Sequence, residues 1–358
     1  MAMDFDLSEN QRAFQESVGA YLADACPRGP ILAAFEDAAI GLAVWRGLAE
    51  MGVPGLMTPA EFGGSGLELL DLAVVAEVLG RYGAPGPFAE HLVATACIGW
   101  CGNDGLKKRW LPDLASCELR ATVAFADSGE RWMPANWTLS GAGVLTGRRR
   151  FVPWADGADL MIVGLEGGKL GVVELSAPGV AVEAQHTFDA TRRLYEVTLD
   201  GAAYELIDSP GLGERLIDMW LVLLAADACG GAAQCIEATT AYVKERVQFD
   251  VPIGRFQAVK HQLADLALLT EPLAGLYWYA AHAFDHEPRR ASLAASLAKS
   301  HTADAYVSAA RRAIELHGGI GYTWEQGSHV WLRRALFDRQ FLGTPPRHRA
   351  RVAQLSGW

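Results

Sequence analysis

The sequence predicts an α+β chain arranged helix–sheet–helix: an N-terminal helical domain over residues 1–117, a middle antiparallel β domain over 118–208, and a C-terminal helical domain over 209–358 built as a four-helix bundle. Three observations carry this reading. Apolar residues recur at helical spacing through 5–26 and 69–82, with Gly and Pro between segments. Between Arg120 and Asp208 that period gives way to short β-prone runs parted by Gly, Pro and Asp. From Pro210 onward helical periodicity returns and persists.

In chain order, the two N-terminal helical patterns flank a glycine-rich stretch, residues 61–66. It lacks the Lys of a phosphate-binding loop and follows no clear strand, so it reads as a connector into the second helix. In the middle third, 160–164, 170–175 and 194–199 are the clearest strands. The C-terminal part divides into helical stretches at 212–246, 256–286, 289–317 and 326–342. No repeat or low-complexity tract interrupts this order.

Composition sets limits on function. In a chain of 358 residues, 51% hydrophobic content leaves room for several packed layers. A net charge of -11 argues against nucleic acid or an anionic membrane as partner, and gives no general steering of an anionic substrate. Phosphate recognition would have to come from local clusters. Arg148, Arg149 and Arg150, and Arg347, His348 and Arg349, are two such places, both read as solvated basic patches. The first eleven residues lack the basic and apolar regions of a signal peptide, and apolar runs such as 216–226 are too short to span a bilayer. Cysteines 26, 97, 101, 117, 229 and 235 form no Cys-x-x-Cys pair and no metal spacing, which suggests reduced thiols and a cytoplasmic location.

Two motifs carry chemistry. The first runs from Arg246 through Gln248, Phe249, Pro252, Ile253 and Phe256 to Gln257. An Arg at a helix end offers a planar fork of donors suited to two phosphate oxygens, and the Phe rings could wall a base or ribose. An Arg meeting the helix dipole, with the rings in the core, would look similar locally. The length of the run favours ligand contact. The second motif, Glu315, His317, Gly318, Gly319 and Gly321, lies about seventy residues later. Its glycines allow positive φ and close approach of backbone to a ligand, and they suit a helix C-cap equally.

Together and in this order, the two motifs resemble the C-terminal domain of the flavin-dependent acyl-CoA dehydrogenases, and the helix–sheet–helix order extends the resemblance over nearly the whole chain. The resemblance implies an acyl-CoA dehydrogenase fold and FAD as cofactor. It also implies that Arg246, Gln248, Phe249, Ile253, Phe256, Gln257, Glu315, Gly318 and Gly319 grip the ADP half of a flavin belonging to the neighbouring subunit. Two acidic departures stand out: Glu315 where the family usually has Gln, and Asp250 where it has Gly.

The same resemblance exposes what is missing. Desaturation beside a thioester needs a carboxylate to take the α-proton. The family's Tyr-Glu-Gly-Thr segment reads Phe341, Leu342, Gly343 and Thr344 here, so Leu342 stands at the usual Glu. Some members carry the Glu on the helix before the Arg motif, and counting back from Arg246 puts that place at Trp220. Asp218 is expected on roughly the opposite helix face, and Glu325 and Asp338 are expected to be solvated. The flavin-ring segments are degenerate as well. Residues 124–130 replace Thr-Glu-Pro-x-x-Gly-Ser, and Phe151, Val152, Pro153 and Trp154 replace Trp-Ile-Thr-Asn, losing hydroxyls and an N–H.

The chain is therefore similar to the smaller, base-less subunit of the actinobacterial heterotetrameric dehydrogenases that act on steroid side-chain thioesters. That implies an α2β2 assembly with two flavins, a homologous partner subunit supplying the Glu, an acyl-CoA substrate, and an electron-transferring flavoprotein as acceptor. Two alternatives remain open at this level: a homotetramer with a displaced base such as Asp218 or Glu325, and a flavin-free scaffold.

Overall fold

A computed structural model describes residues 6–127, 129 and 131–358. Phe5 of the expected first helix, and Ser128 and Glu130 of the expected ring segment, lie outside the described residues.

Six helices open the chain: α1 (Glu9–Ala25), α2 (Arg28–Ala33), α3 (Ala38–Glu50), α4 (Leu69–Tyr82), α5 (Ala89–Trp100) and α6 (Asp104–Ala115). Local chemistry sets their ends. At α1, Ser8 Oγ accepts from the Gln11 N–H at 3.2 Å and the Gln11 side chain accepts from the Ser8 N–H at 2.9 Å, a reciprocal cap. Helix α4 stops at Gly83, which turns left-handed at φ 59°. Residues 61–66 do form the connector into α4.

The middle segment holds β1 (Ala121–Ala124), β2 (Val144–Pro153), β3 (Leu160–Gly164), β4 (Leu170–Glu174), β5 (Val180–Gln185), β6 (Leu194–Ala203) and β7 (Glu205–Ile207). They form two sheets, β1-β3-β4-β7 and β2-β6-β5, with an apolar layer of residues such as Leu145, Met161, Val163, Val173 and Val197 between them. The expectation of a purely antiparallel domain needs correction. β1 and β3 pair in parallel, because the chain leaves the first sheet to form β2 in the second before returning. β2 also loses register against β6 between Arg149 and Val152, where Phe151 takes φ 57°. This bulge aims Phe151 toward the helices.

The C-terminal part begins with α7 (Leu212–Glu245), followed by the short hairpin β8 (Val247–Gln248) and β9 (Val251–Pro252). Helices α8 (Gln257–Thr270), α9 (Leu273–His286), α10 (Pro288–His317), α11 (His329–Gln340) and α12 (Pro345–Leu355) complete it. The stretch expected as one helix over 256–286 is two, because Pro272 supplies no N–H to continue the ladder. The stretch expected over 326–342 is shorter, and Leu342 falls beyond the helix at φ 59°.

Helix α7 is long and apolar enough by composition to cross a membrane, but 94% of that apolar window is buried inside the protein. It lies between α4 and α10, and glycine permits the closest approach. A Cβ on Gly230 would sit 1.8 Å from the Glu77 carbonyl oxygen, and one on Gly80 would sit 1.9 Å from that of Asp227. Helices α4 and α7 therefore cross backbone to backbone, which fixes the depth at which Trp220 and Asp227 enter the interior.

Candidate functional site

The two sequence motifs meet at one end of the helical bundle. Arg246 caps α7, its N–H donating to the Tyr242 carbonyl at 2.9 Å, and its own carbonyl accepts from the Ile253 N–H at 2.8 Å. Between these bonds the hairpin turns through Phe249 and Asp250, both left-handed at φ 53° and 63°. Two consecutive positive φ values suit the twist of a two-residue hairpin. One turn before Arg246, the Tyr242 hydroxyl donates to the His317 carbonyl at 3.2 Å, and the two rings stack at 4.3 Å. That contact ties the end of α7 to the end of α10. Tyr242 was not singled out in the sequence, although its place four residues before Arg246 puts it on the same helix face.

Around this joint the residues of the expected ADP-half cradle stand free of the core. Arg246, Gln248, Phe249, Phe256, Gln257, Glu315, Gly318 and Gly319 are exposed, and Ile253 is half-buried. Phe249 is 87% exposed, a large unshielded ring, and meets Phe256 edge-on at 6.1 Å. The Arg246 guanidinium has no hydrogen bond or ion pair among the described residues. Gly318 takes φ 66° and ψ -144°, a conformation closed to residues with a Cβ. The acidic departure at Glu315 is partly offset by Arg312 at 3.4 Å, which also donates to Gln262 on α8 at 2.6 Å. A free fork of donors, exposed rings and bare backbone fit an ADP-like moiety.

The other end of the expected site is closed. Leu342 is wholly buried, and its carbonyl lies 3.1 Å from the His348 ring. Trp220 is 3% exposed, its ring 5.0 Å from Phe341 and 6.1 Å from Phe125. Phe341 in turn meets Trp132 at 4.8 Å, and Phe125 stacks on Trp137 at 4.9 Å. An aromatic wall thus fills the place where a base and a flat ring would face one another. Pro153 and Trp154 are also buried behind it, and the residues present do not fit an isoalloxazine ring. Trp132 and Trp137 went unnoticed in the sequence because nothing local distinguishes a loop Trp that packs on a distant helix.

None of the candidate acids offers a free carboxylate to this wall. Asp218 is buried on α7, but Arg351 donates to it at 2.8 Å and Ser292 also bonds it. Burial pushes its carboxyl up, and Arg351 and Ser292 work against that. Glu325 is exposed, as expected. Asp338 is not solvated as expected: it is fully buried, in an ionic cluster drawn from four elements.

In that cluster Arg192, from the loop between β5 and β6, bridges Asp227 of α7 and Asp338 of α11. Arg334 of α11 donates to Asp227 at 3.0 Å and to the Thr191 hydroxyl at 3.1 Å, and the Lys299 ammonium of α10 bonds the Asp338 carbonyl. Burial works against the Asp227 carboxylate, but Arg192 and Arg334 outweigh it and hold it ionised. Burial pushes the Asp338 carboxyl up, and pushes Lys299 down to about 7. The arrangement pins the sheets to the helices rather than presenting a base. The two basic clusters also differ from expectation. Arg149 is buried with its guanidinium on the Gly164 carbonyl at 2.9 Å, while Arg148 and Arg150 share Glu196. His348 is buried, Arg349 pairs with Asp304 at 3.0 Å, and Arg347 alone stands exposed without an ion pair among the described residues. Each cluster is therefore solvated only in part, with Arg149 and His348 turned inward. Among the described residues no group of His, Cys, Asp and Glu could hold a metal.

Known proteins resemble the chain along nearly its whole length. Residues 8–118 match the family model of the acyl-CoA dehydrogenase N-terminal domain, and 214–356 match that of the C-terminal domain. Acyl-CoA dehydrogenase IpdE2 of Mycolicibacterium smegmatis is 32% identical over 347 residues, 96% of this chain and 98% of that protein. Acyl-CoA dehydrogenase FadE34 of Mycobacterium tuberculosis is 32% identical over 98% of this chain but only 48% of its own length. Among solved structures, a variant of the Tcur3481-Tcur3483 steroid ACAD superposes with a TM-score of 0.89 at 28% identity, covering 98% of each chain. The ChsE4-ChsE5 complex from Mycobacterium tuberculosis superposes with a TM-score of 0.90 at 24% identity over 99% of each chain, a likeness of fold.

Proposed function

The chain belongs to the acyl-CoA dehydrogenase family, FAD-using oxidoreductases acting on CH–CH bonds, and we propose that within it this chain is the base-less subunit of an α2β2 heterotetramer. Its own task is to hold the ADP half of a flavin whose ring lies in a homologous partner subunit. Arg246 offers its fork to the pyrophosphate, Gln248 and Gln257 offer neutral hydrogen bonds, Phe249 and Phe256 wall the adenosine, and Gly318 and Gly319 admit the backbone close to it. Bound flavin supplies the hydride acceptor for desaturation of an acyl-CoA thioester. The α-proton goes to a carboxylate of the partner.

One observation carries the reading. At the cradle for the ADP half the Arg246 guanidinium is exposed and has no partner among the described residues, while the positions of the base, Leu342 and Trp220, are buried in an aromatic wall. A chain working alone needs both. The rival in which Asp218 acts as a displaced base is disfavoured by its burial and by its bonds to Arg351 and Ser292, which hold both oxygens within the helical interior. A steroid side-chain thioester is the substrate class favoured by likeness to a steroid ACAD at 28% identity. An electron-transferring flavoprotein is the acceptor under the same reading. A cytoplasmic location is consistent with six unpaired thiols.

The test is expression of the chain alone and together with its homologous partner. Alone it should carry no stoichiometric flavin and show no acyl-CoA oxidation. The co-purified complex should be yellow, active, and hold one flavin per pair of unlike chains. Turnover by the single chain, lost in Asp218→Asn or Glu325→Gln, would defeat the proposal. A colourless complex would leave only a scaffold.

A further inference from the structure

The cleft between the sheets and the C-terminal helices is divided in two. One cavity of about 720 Å³ lies between the β5–β6 loop and α11, with Phe151, Leu194 and Phe337 in its lining. A second, of about 580 Å³, lies between the segment around Trp132 and α12, with Trp132, Leu342 and Arg347 in its lining. The same rings form the wall between them. Phe337 stacks on Phe341 at 4.8 Å with planes 16° apart, Phe341 meets Trp132 at 4.8 Å, and Trp132 meets Phe151 at 5.8 Å.

We propose that this partition of Trp132, Phe151, Phe337 and Phe341 is the device that excludes a flat polycyclic ring from this chain. The exclusion rests on the base-less-subunit reading and supplies its steric cause. A ring inserted between two parallel rings needs about 3.5 Å on each face, so their planes must stand about 7 Å apart. The rings that meet across the cleft, Phe341 and Trp132, have centroids only 4.8 Å apart and already touch. Trp132 and Phe341 are 7% and 4% exposed, so neither ring swings into solvent without vacating the core. The four side chains come from three places, the segment after β1, strand β2 and the C-terminal end of helix α11, so the wall closes from both sides of the cleft.

Trp132 is the member that can be removed most cleanly. It lies in a stretch without helix or strand, and its backbone carbonyl, which accepts from the Trp137 indole at 3.1 Å, survives any substitution of the side chain. Losing its ring should join the two cavities and leave the ladders of β2 and the helix of α11 intact.

The experiment uses the full chain and riboflavin, a ring without a pyrophosphate, so that Arg246 and its neighbours are not engaged. Binding is followed by quenching of riboflavin fluorescence on titration with protein. Wild type should show no saturable binding, Trp132→Ala should bind at least tenfold more tightly, and Trp132→Ala combined with Phe341→Ala more tightly still. If truncation to Ala costs the fold, Trp132→Leu keeps an apolar filler in the core while thinning the wall, and should show the same direction. Equal riboflavin binding by wild type and variants would overturn the partition. So would a cooperatively melting Trp132→Ala or Trp132→Leu chain that binds no better than wild type. Flavin content of the wild-type complex tests the shared-cofactor reading separately, so failure of one does not imply failure of the other.

Discussion

Replacing Arg246 separates a cofactor contact from an ordinary helix end. The guanidinium is exposed and has no partner among the described residues, so its removal breaks nothing inside the subunit. The remaining structural effect is loss of a cation at a helix C-terminus, which is worth about 0.3–1 kcal/mol. Arg246→Ala should therefore shift the melting temperature by no more than a few degrees. Against flavin the cost is larger. A charge-assisted hydrogen bond contributes roughly 1.5–3 kcal/mol, about ten- to a hundredfold in affinity. Arg246→Lys keeps the charge but loses the planar fork, and should weaken retention in the same direction. The assay is the flavin-to-protein absorbance ratio of the reconstituted complex after dialysis. Normal flavin retention in Arg246→Ala would show that the motif is structural here, and the shared-cofactor reading would fall with it.

Two further outcomes concern the interior. Asp227 is 4% exposed and serves both Arg192 and Arg334, so Asp227→Asn leaves the buried Arg334 without an anionic partner and Arg192 with Asp338 alone, and should cost about 3–5 kcal/mol, read as a urea midpoint. A loss below about 1 kcal/mol would mean that water already satisfies the cluster. Burial pushes the Glu90 carboxyl up to about 7, against opposing pulls from Arg192 and Arg334. Its folded pKa is raised, so its contribution is fully present below the unfolded value of about 4.3 and is lost as pH rises through about 7. Glu90→Gln should then raise the melting temperature over wild type at pH 7.5 and much less at pH 5. An equal gain at both values would contradict that assignment.

What the sequence revealed follows the range of the interactions involved. Helix α4 lies where periodicity put it, because Leu69, Leu72, Val75 and Leu79 repeat on one face and Gly83 ends it. The two motifs proposed as a cradle could be read as short runs, and what the sequence did not show was the Tyr242–His317 joint that brings them together. The interior was not legible. Arg192 and Asp338 are 146 residues apart, and no local pattern separates a buried Asp from a solvated one on a short charged helix. Arg149 misled for the same reason, since its neighbours Arg148 and Arg150 point outward to Glu196 while it alone turns inward. The parallel pairing of β1 with β3 needed the excursion through β2, which strand propensity does not encode.

On the proposed base-less reading, Leu342 itself argues that more than one residue stands in the way of a base. It takes φ 59°, a left-handed conformation that costs a residue with a Cβ about 1–2 kcal/mol. Full burial of a leucine contributes roughly 1.5–3 kcal/mol, enough to offset that strain. Leu342 shares one apolar cluster with Trp132, Trp220 and Phe341, so the surroundings suit it as filler. A carboxylate in its place would lose several kcal/mol of hydration and would be driven toward its neutral form. Leu342→Glu should accordingly yield no acyl-CoA oxidation and a less stable chain. Regaining a working base would require rebuilding the wall around it, including Trp132 and Trp220, as well as position 342.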